Sequence, residues 1–188
     1  LEDLEDRRRY LNIAATLDRL LGVGAVPVIN ENDSVATQEI RFGDNDRLAA
    51  RVAQAAGANG VVLLSDVDGL YDRNPKDKDA ALIGEIKIVD DSIRAMVAGG
   101  SSSGMGSGGM ASKLAAARTA SFSGVRAVIA ASTRPDVLMD AANDLDVGTT
   151  FMPNDRKLGA RKLWIGFASL VEGVITVDDG AVRDRKSV

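Results

Sequence analysis

Residues 101–113 read Ser-Ser-Ser-Gly-Met-Gly-Ser-Gly-Gly-Met-Ala-Ser-Lys and run directly into a helical pattern. Glycine permits positive φ angles and close backbone approach, so the N–H groups of such a loop can converge on an anion. A helix that begins straight after the loop adds the favourable end of a dipole. Lys113, in the first helical turn, sets an ammonium beside the same point. These features make a phosphate cradle. Glycine and serine also make flexible linkers; the lysine just inside the helix favours the cradle. Gly104, Gly106 and Gly109 fit G-x-G-x-x-G, but no strand feeds into them, and no Gly-Lys-Ser/Thr occurs. The context therefore suits neither a dinucleotide fingerprint nor a Walker A loop.

A second group is Asn30-Glu-Asn-Asp33 followed by Phe42-Gly-Asp-Asn-Asp46. Residues 30–46 hold the acids Glu31, Asp33, Glu39, Asp44 and Asp46 and the asparagines Asn30, Asn32 and Asn45, with Arg41 as the basic balance. Such side chains hold an ammonium, a metal ion, or the amino and carboxylate groups of an amino acid. Singly, Asn and Asp are turn and cap residues. As a pair of clusters, one at a strand end and one at a helix start, they read better as a polar pocket. A third group, Ser65-Asp-Val-Asp-Gly-Leu-Tyr71, places Asp66 and Asp68 at a strand end, where they can meet ribose hydroxyls or a metal, or simply make a turn at Gly69. Trp164 and Phe167 read as core.

Composition narrows the chemistry. The 188 residues contain no Cys and no His, which removes disulfides, zinc fingers, thiol nucleophiles, Ser-His-Asp triads and imidazole acid–base catalysis. A bound metal would need oxygen ligands, favouring Mg²⁺, Ca²⁺ or Mn²⁺. Net charge is −4, with 23 basic and 27 acidic residues, against the basic surplus of nucleic-acid binders. No run of about eighteen apolar residues suggests a membrane span, and with no signal peptide a cytoplasmic protein is expected.

The elements that must carry these groups alternate. A helix is expected over residues 1–21, its acids Glu2, Asp3, Glu5 and Asp6 ahead of Arg7, Arg8 and Arg9 in the order that suits a helix dipole, with Leu4, Leu11, Ile13, Leu17, Leu20 and Leu21 as its apolar face. Residues 25–29 read as a buried strand, 46–56 as an alanine-rich helix closed by Gly57, and 61–64 as a parallel strand. A short strand at 85–89, a helix at 91–98 capped by Asp90 or Asp91, a helix at 111–123 and a buried strand at 125–131 come next. A helix at 136–142 and short strands at 149–151, 163–167 and 173–177 complete the pattern. The class is α/β with a largely parallel sheet. Ligands in such sheets collect at the carboxyl ends of strands, where 30–33, 65–68 and 132–134 all fall.

In order and spacing, Val26-Pro-Val-Ile-Asn-Glu-Asn-Asp33, Phe42-Gly-Asp-Asn-Asp46, Ser65-Asp-Val-Asp-Gly-Leu-Tyr71 and Gly106-Ser-Gly-Gly-Met-Ala-Ser-Lys113 resemble the amino acid kinase family. The Asn-Glu-Asn-Asp, Gly-Asp-Asn-Asp and Gly-Gly-Met-x-Ser-Lys motifs are similar to those of its members that phosphorylate the side-chain carboxylate of glutamate. The resemblance implies a three-layer αβα sandwich with a mainly parallel sheet. It also implies ATP and Mg²⁺, transfer of the γ-phosphoryl group to L-glutamate as the first step of proline synthesis, and proline as a feedback inhibitor. By matching motif positions, Asp33 and Asn45 would contact glutamate, with Asn30 lining the pocket. Asp46 would organise the catalytic site and Ser65 and Asp66 would touch the nucleotide. Ser107, Gly108, Gly109, Met110, Ala111, Ser112 and Lys113 would wrap the phosphates, with Lys113 stabilising the moving phosphoryl group; no protein metal ligand is implied.

A carboxylate acceptor is already ionised at neutral pH, with a reference pKa of about 4.3 for glutamate. Transfer to it needs no general base, and positioning with charge stabilisation carries such reactions. Family members open with a strand and a lysine- and serine-bearing glycine loop, and many end in an RNA-modification-type PUA domain. This sequence starts at Leu1 within a helical pattern and stops at Val188. The expectation is therefore that residues 1–178 are the C-terminal, nucleotide-binding portion of a kinase domain without its first strands, and 179–188 a linker toward an absent domain. Such a fragment is expected to be inactive by itself and, with apolar surface and a sheet edge uncovered, to self-associate. Rival readings are a nucleotide-binding module without catalysis, and a kinase of the same fold acting on another acidic amino acid or a nucleoside monophosphate.

Overall fold

Among the described residues three helices end on a left-handed glycine, and each ending sets the direction of the segment beyond it. The computed structural model describes residues 4, 6–30, 44–99 and 107–154. Within them α1 spans Arg7–Gly22, α2 Asp44–Ala55 and α4 Ser107–Phe122. Gly24, Gly57 and Gly124 take φ of +77°, +63° and +76° just beyond these helices. The next residue's amide then reaches back into the last turn: Ala25 N to Leu20 O at 3.0 Å, Ala58 N to Ala53 O at 2.9 Å, and Val125 N to Ala120 O at 2.9 Å. A left-handed residue costs glycine no Cβ clash, and this closure satisfies the helix's last carbonyls while turning the chain sharply.

After α2 and α4 the turned chain enters a strand. β1 (Gly60–Ser65) and β3 (Arg126–Ala131) pair in parallel, from Gly60 opposite Arg126 to Ser65 opposite Ala131. β4 (Thr149–Phe151) lies antiparallel to β3, and β2 (Glu85–Ile86) runs parallel to β4. The order is β1-β3-β4-β2, a mixed four-stranded sheet with two of its three pairings parallel. The expected α/β class with a mainly parallel sheet therefore stands, β4 supplying the antiparallel step.

β3 is buried on both faces. Ala127 and Ile129 join Leu63, Phe151 and the helices α2 and α4 on one side; Val128 and Ala130 meet Val137 and Ala141 of α5 (Val137–Ala142) and Val147 on the other. These are the helix, sheet and helix layers. On the larger face α2 and α4 pack side by side through a seam of alanines: Ala50 and Ala53 from one, Ala116, Ala117 and Ala120 from the other. Alanine is the side chain that lets two helix backbones approach closely. α3 (Asp91–Gly99) packs on α4. Its start is capped by Asp90, whose Oδ1 accepts from the Ser92 and Ile93 amides at 3.0 and 3.1 Å, as one of the two alternatives in the sequence required.

Two expectations are corrected. α1 starts at Arg7, with Asp6 extended ahead of it as the N-cap and its Oδ1 accepting from Arg9 N at 2.8 Å. The three arginines therefore occupy the positive end of the dipole, and the cap carboxylate offsets them. Residues 25–29 are not a buried strand: they are irregular, with Val26 85% and Val28 95% exposed. Pro27 has no amide to donate, and among the described residues no strand pairs with this segment. Of the expected apolar face of α1, Leu17 is buried while Leu11, Leu20 and Leu21 are exposed. The strands expected at 163–167 and 173–177, with Trp164 and Phe167, lie outside the described residues.

The alanine seam yields a test. Ala117 is fully buried, so Ala117→Leu must spread α2 from α4. We expect a loss of about 1–3 kcal/mol in urea unfolding, whereas a midpoint unchanged from the parent chain would show the seam to be loose.

Candidate functional site

Short links fix where the helix starts lie. α2 joins β1 and α4 joins β3 through a few residues, and each helix packs on the strand it feeds. Each must therefore run opposite to its strand, which puts both helix N-termini at the carboxyl ends of β1 and β3. Those ends are level, because Ser65 pairs with Ala131 and the Ser132 amide donates to Ser65 O at 2.8 Å.

Two side chains meet across this edge. Lys113 Nζ donates to Asp46 Oδ1 at 2.8 Å, and the two side chains are 15% and 14% exposed. The residues are 67 positions apart in sequence; the parallel placement of α2 and α4 brings them together. Asp46 belongs to the first turn of α2, with Asn45 exposed beside it, and Lys113 to the second turn of α4.

The helix α4 starts earlier than its sequence pattern indicates, at Ser107, so Ser107 to Ala111 form its opening turn and Lys113 sits within the second. Gly108 and Gly109 are helical in spite of glycine's poor propensity. Among the described residues a Cβ placed on Gly109 would meet nothing within 4 Å, so packing against them does not require glycine there. Gly109 lies in the opening turn, whose backbone N–H groups have no acceptor within the helix.

Ser65 is buried at the end of β1 and its Oγ donates to Asp66 Oδ1 at 3.2 Å, with Asp66 itself exposed. Tyr71 OH donates to Asp68 Oδ2 at 3.1 Å. Arg134 pairs with Asp140 Oδ2 at 3.1 Å on the far side of the β3 terminus. Of the remaining expected site residues, Asn30 is exposed at the end of the irregular segment. Asp33 lies outside the described residues, as do residues 100–106 of the glycine–serine loop. Among the described residues no three carboxylates gather to hold a metal ion.

Two residues not singled out from the sequence hold the turn after β1. Thr149, fully buried, accepts the Leu70 amide on its Oγ1 at 2.7 Å. Gly148, at φ +59°, is so close beneath the turn that a Cβ would lie 1.9 Å from Ile129 O and 2.6 Å from Asp68 O. The only trace in sequence is a glycine directly before a short β-branched strand, Val147-Gly-Thr-Thr150, and glycine in such a place signals close backbone approach. Farther along, residues 72–81 fold on Asp72, whose Oδ1 accepts the Ala81 amide at 2.9 Å. The Arg73 guanidinium beside it and the Ala81 amide hold this carboxyl below the ordinary aspartate value.

The likeness to known proteins agrees with this geometry. A family profile, the amino acid kinase family, matches residues 2–131. Curated proteins named glutamate 5-kinase are similar: that of Novosphingobium aromaticivorans is 60% identical over 96% of this chain and 48% of its own length. That of Zymomonas mobilis is 56% identical over 97% of this chain and 46% of its own. The chain thus spans about half the length of the curated relatives it matches. Among solved structures, a UMP kinase from Bacillus anthracis aligns at a TM-score of 0.52 and 15% identity over 76% of this chain and 52% of that one. A carbamate kinase from Giardia lamblia bound to AMP-PNP aligns at 0.51 and 24% over 74% and 44%. At such identities the likeness is one of fold.

Two outcomes are expected. Gly148→Ala forces a side chain into a left-handed residue against a strand carbonyl and should cost upward of about 3 kcal/mol in thermal or urea unfolding; a stable, unshifted variant would refute the close approach. Because the folded pKa of Asp72 is depressed, its contribution to the 72–81 loop is fully present above 3.8 and is lost as pH falls through its lower folded value. An NMR titration should place the Asp72 midpoint below 3.8.

Proposed function

The chain belongs to the amino acid kinase family, and from that membership we propose that it carries the nucleotide-binding part of a kinase that phosphorylates the side-chain carboxylate of L-glutamate. The observation that carries this is the Lys113–Asp46 pair at 2.8 Å where two helix N-termini converge. It places a cation beside open helical N–H groups at the sheet edge where α/β proteins bind ligands. The names of the relatives supply glutamate as the acceptor.

On this reading the opening turn at Ser107, Gly108 and Gly109 offers backbone N–H groups to the ATP phosphates, with Met110, Ala111 and Ser112 beside them, and the bare Gly109 lets the phosphates come close. Ser65 and Asp66 reach the nucleotide from the end of β1. Asn45, exposed beside Asp46, reaches the amino acid, with Asn30 and Asp33 from the preceding cluster completing its pocket. A glutamate carboxylate oxygen bonds to the γ-phosphorus as the bond to the β–γ bridging oxygen breaks, leaving ADP and an acyl phosphate. No proton moves, so the absence of histidine costs nothing. Lys113 opposes the charge spread over the transferring group, and Asp46 holds the lysine where that charge develops. Magnesium would arrive on the nucleotide phosphates rather than in a protein cage, its common mode of binding. Residues 1–178 would form the nucleotide-binding portion, with 179–188 a linker. Proline as a feedback inhibitor and a homo-oligomeric assembly belong to the same proposal.

A second reading draws on the chain's length, about half that of its curated relatives: by itself the chain binds nucleotide and transfers nothing. Hydroxylamine trapping of glutamyl phosphate by the 188-residue chain separates the two. Product supports transfer by this chain; nucleotide binding without product supports the second reading. Where transfer is measured, in this chain or one extended to the length of its relatives, Lys113→Ala should lower turnover by about 10²–10³-fold. An unchanged rate would overturn the role assigned to Lys113.

A further inference from the structure

The chain leaving β1 has an unusual crossing to make. In the order β1-β3-β4-β2 it must pass over the ends of β3 and β4 to reach β2 on the far edge. The crossing begins at Ser65 and Asp66, the residues placed on the nucleotide, and residues 66–69 are bends without a regular hydrogen-bond ladder. Contact with the start of β4 is what fixes them. Gly69 lies so near Thr149 that a Cβ would be 2.6 Å from its Oγ1 and 2.9 Å from its amide nitrogen. The Leu70 amide donates to the same Oγ1 at 2.7 Å, while Leu70 O receives the Ile83 amide at 2.8 Å. Thr149 is itself immovable: fully buried, and paired in register with Ile129 of β3.

We infer that Thr149 is a positioning residue for nucleotide binding, its hydroxyl setting the height of the Ser65–Leu70 turn above the sheet. The inference rests on the nucleotide reading of Ser65 and Asp66. A buried amide that loses its acceptor seeks another. A further tie within the turn, from the Tyr71 hydroxyl to Asp68, is exposed and holds no backbone amide. Replacing the Thr149 hydroxyl by a methyl group of the same shape therefore lets the turn move, and Asp66 moves with it. Thr149 touches no ligand on this account; it acts through Leu70 and Gly69.

The test is the affinity of the 188-residue chain for a fluorescent ADP analogue. Thr149→Val should weaken binding by about tenfold, the loss of one buried hydrogen bond, and Thr149→Ser, which keeps the oxygen, should stay within about threefold of the parent. Phe151→Val, a core change two residues along the same strand, should leave affinity unchanged while lowering stability. Parent-like binding by Thr149→Val, equal weakening by Thr149→Ser, or equal weakening by Phe151→Val would each overturn the inference, the last by making it a matter of stability alone. No binding by the parent chain would overturn the nucleotide reading and this inference with it. Should Thr149→Val fail to fold, hydrogen exchange in the parent chain decides: the Leu70 amide should be protected before any nucleotide is added, and exchange as fast as at an exposed amide would overturn the tie.

Discussion

The in-register parallel pairing of β1 with β3 is the constraint on which the rest of the molecule depends. Six successive residues of each strand match without stagger, from Gly60 with Arg126 to Ser65 with Ala131. Because the strands run level, the helices that feed them run level too, and Asp46 in the first turn of α2 meets Lys113 in the second turn of α4 at one edge. A slip of one residue would turn Ile129 toward the α5 face and Val128 toward α2 and α4, exchanging the two cores. The same slip would separate the partners of the Lys113–Asp46 pair. Register fixes both the core and the placement of charge.

That pair is better understood as held charge than as glue. Removing an ammonium and a carboxylate from water offsets much of their mutual attraction, so its contribution to stability is small relative to the α2–α4 packing beside it. Its value lies in location. Under the proposed function a phosphate chain arriving at the start of α4 would compete with Asp46 for one ammonium.

Much of this arrangement is legible in sequence where it is local. Gly24, Gly57 and Gly124 mark three helix ends, and the apolar runs 61–64 and 125–131 mark the parallel pair β1 and β3, because backbone conformation and burial each leave a compositional trace. Lys113 and Asp46 are recognisable singly by type and by place at a helix start. Their meeting is not written in either segment; it arises from two parallel strands joined to two helices by short links. Residues 25–29 mislead for a related reason: an apolar run states a wish to be covered and cannot state whether a partner strand is at hand, and Pro27 weakens its pairing further. The arginines of α1 mislead because Asp6 is the cap outside this helix, which puts Arg7 in its first turn. The Leu70–Thr149 tie, between residues 79 apart, is legible only as an unexplained glycine before a strand.

The alanine seam also has a mechanical meaning. Two helices that meet through buried alanines interlock over a short range, so sliding one past the other would open voids that close packing does not tolerate. α2 and α4 therefore behave as one beam. Under the proposed function that beam bears a residue facing the amino acid at the head of one helix and the phosphate-facing lysine at the head of the other. The spacing between acceptor and donor is then preset by the width of an alanine contact. Any motion that admits substrates or releases products has to occur in what lies over the beam's end, while the gauge between the two reacting groups stays constant.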